Sequence, residues 1–235
     1  MKVSNAQRHG IVAAGTFVID RIATVENYPA DDTYAAVLSE TITNGGPAFN
    51  ALVDWAHMKV PFPLYALGLV GNDADGQWVR SQLEHAGVDT ALLGVHKKAR
   101  TSVSTIVSAT NSRTRTIFHH AGANAELGAI HFPFEKIKAK IFFLAFLALL
   151  HKLDRSAPKY GTVAAKLFSQ AKAHGMKIAV TPAKACMHVA AQPIVVVPRK
   201  VLYRQIGGSP AVRFGVYRYI TAILKSSMIQ PRPPS

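Results

Sequence analysis

Asn44-Gly45-Gly46-Pro47-Ala48-Phe49-Asn50-Ala51-Leu52-Val53-Asp54-Trp55-Ala56 is the stretch on which the reading of the whole chain turns. Asn-Gly-Gly-Pro ends any regular element before it. Phe49, Leu52, Val53 and Ala56 then recur at helical spacing, which predicts a helix over residues 48–58. Upstream, residues 33–43 carry strand formers in a mixed pattern and read as a partly exposed strand. The unit is strand, glycine turn, helix.

Working outward, residues 11–19 form an apolar run ending at Asp20. Both faces are apolar, so a buried parallel strand is expected. Residues 64–70 form a second such run before Gly71-Asn72-Asp73. Asp73 or Asp75 can cap a helix over 76–85, and Gly87 is placed to end it. Residues 101–109 and 113–119 are β-branched runs around Thr110-Asn111-Ser112 and read as a hairpin. A buried strand is predicted over 140–147, and a helix over 158–174 with Pro158 near its first turn and Gly175 past its end. Residues 177–180 start a further strand. Apolar strands alternating with helices argue an α/β fold with a parallel sheet covered by helices. The mixed-face segments at about 24–43 and 101–119 do not suit such a core and are expected to form a small β lid.

The 235 residues are 49% hydrophobic and 17% charged, enough for one large core and unlike a disordered chain. The longest apolar run, 141–150, is too short for a membrane span of about 20 residues, so no membrane partner is expected. Residues 1–10 are polar and lack the apolar segment of a secretory signal. The single Cys186 excludes an intramolecular disulfide and points to a reducing, cytoplasmic setting. A net charge of +14 would fit a nucleic-acid or anionic-surface binder, but it is unevenly spread. All 13 acids lie between Asp20 and Asp154, while residues 181–235 hold eight Lys and Arg, no acid, and seven of the 13 prolines. That tail lacks the ordered aromatic and basic pattern of a nucleic-acid module, so no specific nucleic acid is expected.

In open α/β sheets, ligands bind beyond the carboxyl ends of the strands. Three features lie at such ends. Asp20 can accept hydrogen bonds from substrate hydroxyls, or serve as a turn aspartate. Gly45 and Gly46 let backbone approach a ligand, or make a tight turn and nothing more. Asn50, one turn into the helix, can donate and accept toward the same place. The turn from Gly68 to Gly76 lacks the lysine and hydroxyl of a phosphate loop, and a Rossmann fingerprint is also absent. His119-His120 has no Cys, Asp or Glu at metal-ligand spacing and reads as a satisfied or solvent-facing pair. No Gly-x-Ser-x-Gly supports a hydrolase triad. No catalytic residue and no metal site is assigned.

Taken in order, Asp20, Gly45-Gly46-x-x-x-Asn50, Val70-Gly71-Asn72-Asp73-Ala74-Asp75-Gly76, Gly87-Val88-Asp89, Thr101, Arg115-Thr116 and Gly122-Ala123-Asn124 form a long series. It resembles the ribokinase-like, or phosphofructokinase-B-type (PfkB), carbohydrate kinases over roughly residues 10–180. The resemblance implies a three-layer α/β fold, a sheet sandwiched by helices, with a small β lid over the sugar. It implies transfer of the ATP γ-phosphoryl group to a sugar or nucleoside hydroxyl, with ATP and Mg2+ as cofactors. Asp20 would hold sugar hydroxyls, Gly45 and Gly46 would let the sugar sit against backbone, and Asn50 would add a hydrogen bond. A homodimer through the β lid is a further implication. Leu52 stands where the signature wants a small residue, Ala145-Phe146 where many relatives have Gly-Tyr, and Val18 where some place a polar sugar ligand. These departures leave the substrate open.

The family's chemistry sits in a Gly-Ala-Gly-Asp segment, whose glycine N–H groups form an anion hole and whose Asp is the base. This sequence has no such segment, and no Asp or Glu after Asp154. Residues 1–180 are therefore expected to form the N-terminal part of the domain, with its C-terminal part truncated, most of the ATP site missing and activity impaired. Residues 181–235 read as the product of a shifted reading frame or as a natural basic extension. Two other functions stay open: a non-catalytic sugar-binding or regulatory protein, and a binder of nucleic acid or anionic surfaces through the tail.

Overall fold

The computed structural model describes residues 3–147 and 149–181, with the backbone of Pro182 and of Val195–Val196. The rest of the tail, including Cys186 and the question of its reading frame, lies outside the described residues. In chain order the elements are β1 (Ile11–Ala14), β2 (Val18–Val25), β3 (Val37–Gly45), α1 (Pro47–His57), β4 (Leu64–Gly71), α2 (Ala74–His85), β5 (Asp89–His96), β6 (Ser102–Ala109), β7 (Thr114–His120), β8 (Ile141–Leu147), β9 (Ser156–Ala157), β10 (Gly161–Thr162), α3 (Val163–Ala173), β11 (Lys177–Pro182) and β12 (Val195–Val196).

The central sheet has the order β12-β11-β8-β1-β4-β5, and every pairing in it is parallel. β1 sits in its middle, and its alternation shows why the fold has three layers. Ile11 and Ala13 join a core with Phe49, Leu52 and Trp55 of α1 and Val79 and Leu83 of α2. Val12 and Ala14 join a second core, on the other face, with Leu167, Phe168 and Ala171 of α3 and with Phe132 and Phe134. A strand buried on both faces must be apolar at every position, as all four residues of β1 are. Each large side chain fully buried this way contributes about 1.5–3 kcal/mol. Trp55 meets Phe143 edge-on at 5.3 Å in the first core, and Phe134 meets Phe142 edge-on at 5.4 Å in the second.

A second sheet, of order β3-β2-β6-β7, stands apart from this core as the lid. Its existence corrects the reading of residues 11–19 as one strand. Gly15 lies at φ +138°, and a Cβ there would come within 3.0 Å of the Ala145 carbonyl oxygen. The chain leaves the core sheet at that point. Phe17 is then clamped by buried Asn124, whose Oδ1 accepts from Phe17 N–H at 3.2 Å and whose Nδ2 donates to Phe17 O at 3.0 Å. Val18 opens a lid strand, so Asp20 lies within the lid and not beyond the end of a core strand. Hydrophobicity could not mark the break, because Phe17, Val18 and Ile19 are buried after it as the β1 residues are before it.

Two smaller differences have local causes. The helix expected from Pro158 begins at Val163, where the Thr162 hydroxyl accepts from Ala165 N–H at 3.1 Å, and the residues before it pair as the β9-β10 hairpin. β5 went unread because it is an edge strand with several exposed positions.

Candidate functional site

The register of the lid places its side chains in rows. β2 runs antiparallel to β3 and parallel to β6, and β6 runs antiparallel to β7. Asp20 is paired with Thr43 on one side and Ser104 on the other, and Ser104 is paired with His119. Directly paired residues share a face, so Thr43, Asp20, Ser104 and His119 form one row. Ser104 Oγ lies 3.1 Å from His119 Nδ1. The neighbouring row, Ile42, Arg21, Thr105 and Phe118, points the other way, and from it Arg21 reaches Asp75 of α2 at 3.0 Å.

The glycine turn closes on the same carboxylate. Gly45 ends β3 against Asp20, and a Cβ built on it would clash with the Asp20 carboxylate oxygens. Gly46 sits at φ +89° against the Thr16 carbonyl, where any side chain would meet backbone. Pro47 then opens α1, and Asn50 N–H donates to Gly46 O at 2.9 Å. The structure thus packs Asp20 onto Gly45, seats Gly46 on the turn before β2, and places half-buried Asn50 one helical turn further on.

Burial pushes the Asp20 carboxyl above its ordinary pKa, and a hydrogen bond from Ser104 with the charges of His119 and Arg115 holds back part of the rise. Burial pushes His119 below its usual value; Asp20 opposes that, while His120 and His151 add to it. His151, from the segment after β8, acts on the lid row through its charge. Ser104 is not singled out in the sequence, and His119 reads there only as half of a satisfied or solvent-facing pair; it is exposed on β7. The turn at 110–112 carried the signal, since pairing Ala109 with Thr114 brings Ser104 opposite His119.

The turn from Gly68 to Gly76 is a fastening. Asp73 caps α2 by accepting from Gly76 N–H at 2.8 Å, and it also accepts from Thr101 N–H at 2.8 Å and from the Thr101 hydroxyl at 2.5 Å. Thr101 Oγ1 in turn accepts from Gly71 N–H at 2.9 Å. Burial works to raise the Asp73 pKa, but these hydrogen bonds and Arg100 hold it below the ordinary carboxylate value. The carboxylate ties the start of β6 to the central sheet.

The family model of the pfkB family carbohydrate kinases matches residues 8–200. The chain belongs to this family. Its fold is similar to that of ribokinase from Giardia lamblia, with 19% identity and a TM-score of 0.63 over 76% of this chain and 56% of that one. It is similar to Arabidopsis thaliana ribokinase complexed with ribose and ATP, with 18% identity and a TM-score of 0.58 over 74% and 53%. Halothermothrix orenii fructokinase gives 21% identity and a TM-score of 0.56 over 73% and 56%. Identities this low show a shared fold. The PfkB chain spans little more than half the length of each of these structures.

A PfkB kinase implies ATP and Mg2+. Among the described residues no group of three or more His, Cys, Asp or Glu side chains could hold a metal ion, and the sequence has no Gly-Ala-Gly-Asp. Among the described residues, no helix of this PfkB chain is long and apolar enough to cross a membrane.

Proposed function

We propose that this chain is the substrate-holding part of a carbohydrate kinase and grips a sugar or nucleoside by its hydroxyls beneath the lid. The observation that carries this is the half-buried Asp20 carboxylate, packed on the backbone of Gly45 and set in a row with Ser104 and His119. A sugar hydroxyl is a donor, and a partly desolvated carboxylate gains more from one than a solvated carboxylate does. Side chains at Gly45 or Gly46 would fill the turn, whereas glycine leaves backbone for a sugar ring to lie on. Asn50 can donate and accept from the first turn of α1. ATP with Mg2+ is the proposed phosphoryl donor in the complete reaction.

Transfer at a useful rate is not expected from the 235 residues themselves. Losing one preorganised anion-hole donor costs about 10²–10³ in rate, and here the donors and the base would be absent together. The test pairs thermal stabilisation by D-ribose, D-fructose and adenosine with a coupled ATP-turnover assay on the full chain. At least one of the three should stabilise the protein, and Asp20→Ala should abolish the effect. Failure of all three overturns the substrate site. Turnover near one per second, ordinary for a kinase, would show that another group serves as base.

We propose that assembly uses the outer row of the lid. Ile42 and Phe118, 58% and 63% exposed, share the face away from Asp20, and that face is the proposed contact of a homodimer. Sedimentation equilibrium should show a dimer that Phe118→Asp dissociates; a wild-type monomer contradicts it.

A further inference from the structure

Ser104 stands between two partners and has one hydroxyl proton to give. Ser104 is paired directly with Asp20 on the same face of the lid, within side-chain reach, and its hydroxyl acts to lower the carboxyl pKa, the effect of a proton directed at the carboxylate. Toward His119 Nδ1, 3.1 Å away, the Ser104 oxygen can then only accept. Nδ1 must carry a proton for that contact to be a hydrogen bond. In neutral imidazole this leaves Nε2 as a bare lone pair. His119 lies on the Asp20 face of the lid, and the charged and titratable groups around the pair are Arg115 and His120 of β7 and His151 of the segment after β8.

We propose that His119 is a positioning and specificity-determining residue of the substrate site: through Ser104 it orients the Asp20 carboxylate, and its free Nε2 accepts a second substrate hydroxyl. The inference rests on the reading of Asp20 as a hydroxyl-binding group. Asp20 and His119 stand two strands apart in their row, about 10 Å between Cα atoms at ordinary strand spacing. Acceptors so separated suit hydroxyls on different carbons of one polyol, not a single hydroxyl shared between them. Protonation converts Nε2 from acceptor to donor, so hydroxyl binding falls as pH drops through the His119 pKa. Asp20 is the competing titration, since its own pKa is raised. His119→Asn separates the two, because its amide keeps a donor near the Nδ1 position and has nothing at Nε2.

The experiment has two arms on the full chain. Imidazole nitrogen chemical shifts, followed through a pH titration, give the His119 tautomer and pKa without any ligand. Calorimetric titration with D-ribose, D-fructose and adenosine from about pH 8 to about pH 5 spans the range in which histidine changes charge. We expect the Nδ1–H tautomer, which Ser104→Ala should unsettle, and an affinity that falls about tenfold as His119 protonates, the size of one hydrogen bond. His119→Asn should bind about tenfold more weakly near neutral pH and should lose that step. A predominant Nε2–H tautomer overturns the proposal whether or not a sugar binds. A pH step unchanged in His119→Asn also overturns it, and leaves the Asp20 site standing. Absence of binding by all three compounds at every pH overturns it together with the reading on which it rests.

Discussion

Asn124→Ala is expected to loosen the joint between core sheet and lid, and the size of the loss can be worked out from the contacts made there. Asn124 is 4% exposed, and its side chain makes two hydrogen bonds, both to the backbone of Phe17. Phe17 is itself fully buried, on the three-residue link between β1 and β2. Truncation would leave the Phe17 N–H and C=O without these partners, and each buried group so stranded costs about 1–3 kcal/mol. The sum is about 2–5 kcal/mol, allowing for a water that enters the vacated space. A domain of this size holds only about 5–15 kcal/mol in all. The Asn124 backbone N–H, which donates to Ser102 Oγ at 3.3 Å, does not depend on the side chain. The lid should therefore loosen without detaching. Urea denaturation followed by Trp55 fluorescence gives the global loss, since Trp55 is buried against Phe143. Hydrogen exchange of the β2 amides gives the local one. A loss under about 0.5 kcal/mol, with β2 exchange unchanged, would show that Asn124 does not hold the joint.

Gly45→Ala and Gly46→Ala should part ways. The first collides with the Asp20 side chain, which can turn aside, so sugar binding should weaken at small cost in stability; the second meets the Thr16 backbone at a positive φ and should cost about 1–3 kcal/mol in urea midpoint measurements. Equal destabilisation by the two would contradict the geometry. Asp73 and Asp20 should have pH effects of opposite sign. The Asp73 pKa is lowered in the fold, so its contribution is present above the ordinary carboxylate value and lost as pH falls through the folded one; Asp73→Asn should lower stability at neutral pH. The Asp20 pKa is raised, so its ionised form opposes folding, and that penalty fades as pH falls from the folded pKa toward the ordinary one. Asp20→Asn should raise stability at neutral pH while abolishing sugar stabilisation, and a destabilised Asp20→Asn in urea melts would contradict this.

What could be read from the chain depended on how far apart in sequence the deciding contacts lie. The core was legible because Ile11 and Ala13 serve one layer and Val12 and Ala14 the other, so burial on both faces writes itself as an unbroken apolar run. The Asp73 cap was legible because its partner Gly76 N–H is three residues away. The start of α3 was misplaced because Pro158 also suits a first helical turn, and only the pairing of Ser156–Ala157 with Gly161–Thr162 excludes that choice.

The candidate site was legible in part, and the division follows the same physics. Gly45, Gly46 and Asn50 belong to one local unit of strand end, turn and first helical turn, so residue type and spacing were enough to mark them. Asp20 was marked for its chemistry and assigned to the wrong element, because the break after β1 is announced only by Gly15, and a glycine within an apolar run has many meanings. His119 reads in the sequence as half of a satisfied or solvent-facing pair, and it is exposed on β7; its placement in one row with Ser104 and Asp20 is not local. Half of that placement could still be recovered from the hairpin, where the turn residues set Ser104 against His119. The other half needs the parallel pairing of β2 with β6, which no turn specifies and which depends on the Asn124 clamp and the Asp73 fastening, each at one end of its strand. A row of polar groups assembled across such a pairing has no spacing in the sequence by which to recognise it, and it becomes visible only once the lid is folded.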